Sequence, residues 1–265
     1  MVVHAGAVVP AVGGSATAAA TLTVILPVFN ESATLPATCR TVGEFAAAHP
    51  AIRFVFVDDG SSDATRSILA GEMPEWTASI GALAPMSFLS YSANKGKGFA
   101  IKTAVERVDS DLVCFMDGDL AYGLDHLAEI TSKLRTSDVV IGSRRESPEE
   151  RRNTKKLRRL MGWIFNGLVR VGVGLPFEDT QAGLKGFRTP AARIIFSRTR
   201  LRGFAFDVEA LFIARRHGFS ISEIPARVSR SHRKKPSNVN LYLEPLRMAR
   251  DLMTIRLHGL LGRYR

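Results

Sequence analysis

IRFVFVDDGSSD, residues 52–63, is the stretch that decides the fold of this chain. A short apolar run rich in Val and Phe, closed by Asp, Gly and Ser, reads as a buried strand running into a turn. Ser62 or Asp63 then stands where a helix cap belongs, ahead of a helical pattern that reaches about Gly71. The same grammar recurs on both sides. TLTVILPV (21–28) is an apolar run that exits at Asn30, followed by helical spacing over 32–48 with Ser32 as its cap. MSFLSY (86–91) leads through NKGKG into a helix over 97–108, and DLVCFM (111–116) leads through DGDL into a helix over 124–135. DVVIGSR (138–144) is a fifth strand. Strands alternating with helices predict an α/β fold, a mostly parallel sheet covered by helices on both faces.

The polar clusters NES, DDGSSD, NKGKG, DGDL and GSRR all follow strands. In open α/β sheets ligands bind beyond the carboxyl ends of the strands, so these clusters are expected to meet on one edge. The second half is less regular. Residues 149–171 have helical spacing, 179–187 read as a loop entering a strand, 188–200 and 206–217 as helices, and 239–261 as an amphipathic helix.

Composition bounds the class. The chain has 265 residues, 46% hydrophobic and 23% charged, enough for a sizeable core and unlike a disordered, collagenous or disulfide-built protein. The net charge of +11 is split: residues 1–143 carry 9 Lys and Arg against 15 Asp and Glu, whereas residues 144–265 carry 27 against 10. The basic half therefore suits an anionic partner: nucleic acid, phosphorylated small molecules or an anionic membrane. Cys39 and Cys114 have no CxxC neighbour and fit a reducing compartment. Residues 1–20 lack the basic start of a secretory signal and read as a disordered leader. No apolar run of 18 or more uncharged residues follows, so no transmembrane helix is expected.

Several positions carry chemistry. Asp117 and Asp119 flank Gly118 at a strand exit, where two hard carboxylates suit Mg2+ or Mn2+ and, through it, a diphosphate; an ordinary turn is the plain alternative. Asp58 and Asp59 can accept from a base N–H or ribose hydroxyls, although one of the pair is expected to serve the turn. Phe29 can pack against a base. Lys97 and its neighbours in NKGKG can meet a phosphate, and Arg144 and Arg145 can fork onto phosphate oxygens. The P-loop pattern, the GxSxG elbow, metal-enzyme His/Cys/Glu spacing and RNA-binding consensus motifs are absent from the sequence.

In order and spacing, LPVFNES, VDDGSSD, NKGKG, DGDL and GSRR resemble the family 2 glycosyltransferases with the GT-A fold. EDTQAGLKGF, FAFDVEALFIA, EIPARV and PLRMARDLMTIRL narrow the resemblance to the polyprenyl-phosphate (dolichyl-phosphate) sugar synthases, with the β-glucosyltransferase branch nearest. It spans about residues 21–262.

The resemblance implies metal-dependent, inverting transfer of glucose or mannose from UDP-glucose or GDP-mannose to a polyprenyl phosphate. By position, Pro27, Phe29, Glu31, Val57 and Asp59 match the nucleotide pocket. Asp117 and Asp119 match the metal pair, with Gly118 between them. Arg144 matches an arginine that contacts phosphate, Asp179 and Gln181 match the DTQ motif on the acceptor side, and Lys234 or Lys235 matches a late basic residue on phosphate. Three departures stand out: Phe29 replaces a common Tyr, the late loop reads SHRKKPSN, and the transmembrane anchor of several relatives has no counterpart.

A lipid phosphate needs no protein base, because its second pKa is about 6. A sugar hydroxyl would need one, and Asp179 is the residue that motif places there. The alternative reading is thus a soluble GT-A enzyme acting on a hydroxyl with Asp179 as base; a non-catalytic nucleotide- or RNA-binding protein is the third. Basic residues 151–159 before the apolar stripe of 160–168, and the amphipathic 239–261 helix, suit peripheral contact with the cytoplasmic face of a membrane. The expected organisation is a leader (1–20), a GT-A domain (21–235) and a helical extension (236–265).

Overall fold

The computed structural model describes residues 20–75, 84–144, 166–203, 205–228 and 244–265. The leader up to residue 19, Arg145, the basic run 151–159 and the late loop with Lys234 and Lys235 lie outside the described residues. Strands β1 (Leu22–Val28), β2 (Ile52–Asp58), β3 (Met86–Ser90), β4 (Leu112–Met116), β5 (Val139–Ser143), β6 (Leu184–Arg188) and β7 (Ile221–Pro225) form one seven-stranded sheet, ordered β3-β2-β1-β4-β6-β5-β7. The helices are α1 (Leu35–Ala48), α2 (Thr65–Glu72), α3 (Lys97–Val105), α4 (His126–Lys133), α5 (166–172), α6 (Thr189–Arg198), α7 (Phe206–Arg216) and α8 (Glu244–Leu260).

Alternation along each strand sorts the core into two layers, because successive side chains point to opposite faces. On β1, Leu22, Val24 and Leu26 join β2 residues Phe54 and Phe56 beneath α1, α2 and α4, with Leu35, Leu69 and Leu127. Ile25 and its neighbours Val55 and Phe115 join the other layer, beneath α3, α6 and α7, with Ile101, Ile195 and Leu211. Each fully buried large apolar side chain contributes about 1.5–3 kcal/mol.

The mostly parallel sheet expected from the sequence is present, with one strand reversed. β6 lies between β4 and β5 and runs antiparallel to both. It starts on the edge where its neighbours end, and so brings residues 179–183 to that edge. Alternation of strand and helix could not reveal this, because strand direction is set by the edge at which the intervening chain re-enters.

Two helix starts differ from the sequence reading. α1 begins at Leu35 and Ser32 is not its cap. The Ser32 amide instead donates to Asp63 Oδ2 at 3.1 Å and the Glu31 amide to Thr65 Oγ1 at 2.9 Å, which holds the entry as a turn. α2 begins at Thr65 with Ala64 at the cap position, so neither Ser62 nor Asp63 is its cap; Asp63 instead accepts from the Thr65 amide at 2.9 Å in the turn ahead of the helix. α3 stops at Val105, three residues early.

Candidate active site

The strand order reverses direction between β1 and β4, so the crevice beyond their carboxyl ends is a topological switch point. Gly118 lies in its floor. A Cβ there would stand 2.6 Å from both the Pro27 carbonyl oxygen and Val28 Cγ1, so only glycine lets the DGD turn lie this close to β1. The Asp117 amide donates to the Gly183 carbonyl at 3.1 Å. A Cβ on Gly183 would fall 2.0–2.4 Å from the Asp117 carboxylate. The glycine at the mouth of β6 is thus what makes room for Asp117. Asp119 accepts from the Ala121 amide at 3.1 Å, and Leu120 between them takes a φ of +52°.

Lys97, the first residue of α3, donates its ammonium to Asp117 Oδ1 at 2.5 Å. Its pKa is raised: burial works against the charge, but Asp117 and Asp207 outweigh it. The loop carrying Lys97 is fixed from beneath by Asp59. Oδ1 accepts from Tyr91 Oη at 2.6 Å and the Lys95 amide at 2.8 Å. Oδ2 accepts from Asn94 Nδ2 at 3.0 Å and the Gly96 amide at 2.8 Å. Gly96 has a φ of +92° and would bring a Cβ to 2.5 Å from the Arg202 carbonyl oxygen.

Asp59, read from the sequence as a nucleotide contact, therefore has both oxygens taken by its own protein. Asp58 Oδ1 accepts from the Ser61 amide at 3.0 Å, whereas its Oδ2 has no hydrogen-bond partner among the described residues. Of the two aspartates, Asp59 serves the loop and Asp58 keeps an acceptor in reserve.

On the far side of the crevice, Arg144 at the exit of β5 grips Asp179. Nε meets Oδ2 at 2.6 Å, Nη2 meets Oδ1 at 2.9 Å, and the Arg144 amide donates to Oδ2 at 3.1 Å. The Gln181 amide adds a fourth bond, to Oδ1 at 3.1 Å. Asp179 is 5% exposed and Arg144 44%. Burial acts to raise the Asp179 pKa, but Arg144 and the backbone donors hold it below the usual carboxylate range. The site thus joins Lys97, Asp117, Asp119, Arg144, Asp179 and Gln181 along one edge.

The nucleotide-side residues take different places. Phe29 is 45% exposed at the end of β1, an apolar face open to solvent. Pro27 is half-buried beside Gly118. Glu31 accepts from Thr34 Oγ1 at 2.6 Å and organises the start of α1. Val57 is wholly buried with Leu89 and Ala100, so its side chain backs the crevice and does not line it.

Three residues here escaped the sequence reading. Lys185 and Asp207 form a fully enclosed ion pair at 2.7 Å, and Tyr122 is buried beside Arg144. Lys185 lies in β6, LKGFR, whose first four residues are all buried, and a lysine between Leu184 and Gly186 in such a run was the signal available.

Comparison with known proteins gives these features a family. The family description Glycosyl transferase family 2 matches residues 23–195. The dolichyl-phosphate beta-glucosyltransferase of Saccharomyces cerevisiae is 29% identical over 260 residues, covering 92% of this chain and 76% of its own. The undecaprenyl-phosphate mannosyltransferase of Micrococcus luteus is 29% identical over 207 residues, covering 76% and 80%. Among solved structures, glucosyl-3-phosphoglycerate synthase from Mycobacterium tuberculosis, in complex with Mn2+, UDP and phosphoglyceric acid, superimposes with a TM-score of 0.55. It shares 17% identity and covers 92% of this chain and 78% of that one, a likeness of fold. The mostly parallel seven-stranded sheet thus has the GT-A fold, and the chain is a glycosyltransferase belonging to glycosyl transferase family 2.

Proposed function

We propose that this enzyme transfers a hexose, glucose or mannose, from a nucleotide diphosphate sugar to a polyprenyl phosphate, with inversion. The relatives named for dolichyl- and undecaprenyl-phosphate transfer support the acceptor class. The observation that carries the reading is the state of Asp179. Its carboxylate is committed to the Arg144 fork and to two backbone donors, and its pKa is lowered, which makes it a poor acceptor for a hydroxyl proton. An ionised lipid phosphate needs no such base. The phosphate oxygen forms the new bond to the anomeric carbon as the bond to the diphosphate oxygen breaks, and the leaving group carries away the electron pair.

The donor set fits a divalent cation held jointly with the substrate. Among the described residues no group of three or more His, Cys, Asp or Glu side chains could hold a metal ion. Asp117 and Asp119 supply two hard oxygens at one turn, which suits Mg2+ or Mn2+ completed by phosphate oxygens and water. The structural neighbour captured with Mn2+ and UDP supports that use. When bound, such an ion stabilises the negative charge gathering on the leaving diphosphate. Lys97 lies beside Asp117 on the same edge, and Arg144 orients the acceptor side through Asp179.

Peripheral membrane contact belongs to the same proposal. Among the described residues no helix is long and apolar enough to cross a membrane. α8 instead has two apolar faces. Leu252 and Ile255 are buried, and Gly259 lies against Phe212 of α7. Met253, Leu257, Leu260 and Leu261, at helical spacing i, i+4, i+7 and i+8, are all more than half exposed. Arg250 and Arg256 flank that stripe, the arrangement of a helix lying in an anionic interface. Lys235, which lies outside the described residues, is proposed as a phosphate contact.

The test is a transfer assay with purified protein and Mn2+ or Mg2+, offering UDP-glucose and GDP-mannose against polyprenyl phosphate and against hydroxyl acceptors. Transfer to the lipid phosphate, lost by about 10²-fold or more in Asp117→Asn, is the expected result. Transfer to hydroxyls alone overturns the proposal in favour of the soluble enzyme.

A further inference from the structure

Behind the site lies a chain of alternating charges. Asp117 accepts from Lys97 at 2.5 Å, and Lys185 pairs with Asp207 at 2.7 Å. The two pairs meet where the starts of α3 and α7 pack together, Phe206 lying against Gly98, and there Asp207 acts electrostatically on Lys97. The aromatic lining joins the two pairs. Lys97 lies 5.7 Å from the centroid of Phe115 and 5.9 Å from that of Phe206, and Lys185 lies 5.5 Å from Phe115. Lys185 is 0% exposed and also donates to the Ala182 carbonyl at 2.6 Å, at the root of the loop that ends in Gly183. Asp207 opens α7, with Phe206 packed against Gly98 of α3.

A buried ion pair contributes little to stability compared with apolar residues of the same size, because two charges have been taken from water. Its presence here therefore calls for another use. Lys97 differs: its side chain is 29% exposed and that of Asp117 37%, so this contact alone is a weak reason for a flexible ammonium not to swing into water.

We propose that Asp207, itself fixed by Lys185, is a positioning residue that holds Lys97 within the site, against Asp117. The proposal deepens the diphosphate reading of the same site and rests on it. Lys97 is then a permanent cation of the crevice, set before any substrate arrives. Lys185 serves two ends: it orients Asp207 and ties the 182–183 turn on which the Asp117 carboxylate rests. The pair is not a catalytic one, since neither member reaches the reacting atoms.

Two measurements decide the matter. The first is the crystal structure of the ligand-free variant K185M/D207L, whose apolar replacements keep the core filled and neutral. The expected finding is that the Lys97 ammonium leaves Asp117 for solvent; a Lys97–Asp117 contact unchanged from wild type overturns the proposal. The second is a kinetic cycle of K97M, K185M/D207L and their combination, assayed with saturating Mn2+ and polyprenyl phosphate. K97M and K185M/D207L should each lower kcat by a factor of about ten or more, with the combination no lower than K97M alone. Additive losses would mean that the buried pair acts on folding and not through Lys97. Should the variant fail to fold, D207N with a crystallographic view of Lys97 gives the same decision. Wild-type protein that transfers nothing to lipid phosphate would overturn the proposed function, while the crystal structure would still decide the role of Asp207.

Discussion

Arg144 and Asp179 face each other in a two-bond fork, Nε to Oδ2 at 2.6 Å and Nη2 to Oδ1 at 2.9 Å, closed by the Arg144 amide on Oδ2. The fork spends the carboxylate on geometry. Arg144→Lys keeps the charge and loses the planar match, so it should lower kcat by about tenfold or more. Asp179→Asn loses the charge-assisted bonds and should cost a similar amount, with the double variant scarcely worse than either single one. If Asp179 were a base, Asp179→Asn would abolish turnover while Arg144→Lys would spare most of it. Steady-state kinetics of the three variants separates the two roles.

The same pair predicts a pH dependence of stability. The Asp179 pKa is lower in the folded protein than in the unfolded chain, where an aspartate titrates at about 3.9. A lowered folded pKa means stability present above the unfolded value and lost as the pH falls through the folded one. The advantage of wild type over Asp179→Asn in urea unfolding should therefore be constant from pH 7 down to about 4. Below that it should shrink. A gap that stays constant to pH 2, or grows, would contradict the pairing.

Asp59 gathers four donors from residues 91–96 and so fixes the loop that carries Lys97. Asp59→Asn turns one of its acceptor atoms into a donor facing other donors. Leaving buried donors unmatched costs about 1–3 kcal/mol. The thermal midpoint should fall by several degrees, and the KM for nucleotide sugar should rise more than kcat falls, because the loop is loosened and no reacting group is removed. Hydrogen exchange of the Lys95 and Gly96 amides should accelerate in step. Protected amides in the variant would show that the loop is held by something other than Asp59.

The strands, their order along the chain and the polar edge were legible in the sequence because each apolar run ends in Asp, Asn, Gly or Ser. The carboxylates Asp117 and Asp119 were legible for the same reason. The division of labour between Asp58 and Asp59 was not, since adjacent aspartates look alike until their donors are placed. Lys185 and Asp207 were hidden for a different reason. They lie 22 residues apart, one in a strand and one opening a helix, and meet only because β6 is reversed and inserted between β4 and β5. The lysine inside LKGFR was visible as a local oddity, but its long-range partner was not. Val57 shows the converse, a residue placed by its motif whose side chain the pleat turns into the core.

The buried face of α8 is fixed by Leu252 and Ile255, and just beyond it the buried Tyr264 donates to Glu209 Oε1 at 2.6 Å. Glu209 Oε2 in turn accepts from the Arg200 and Leu201 amides at 2.9 and 2.8 Å. The helix is therefore anchored to the enzyme by one face, and Leu257 at 54% and Leu260 at 75% exposure contribute nothing to that anchoring. Leu257→Glu with Leu260→Glu should leave the unfolding transition close to that of wild type, since exposed substitutions usually change stability by less than about 0.5 kcal/mol. The same double variant should bind vesicles containing anionic lipid at least tenfold more weakly. Two lost apolar insertions and two added negative charges both act in that direction. Turnover of a short, water-soluble polyprenyl phosphate should be retained, while turnover of the long-chain lipid in vesicles should fall. Unchanged vesicle binding would show that this face of α8 does not meet the bilayer.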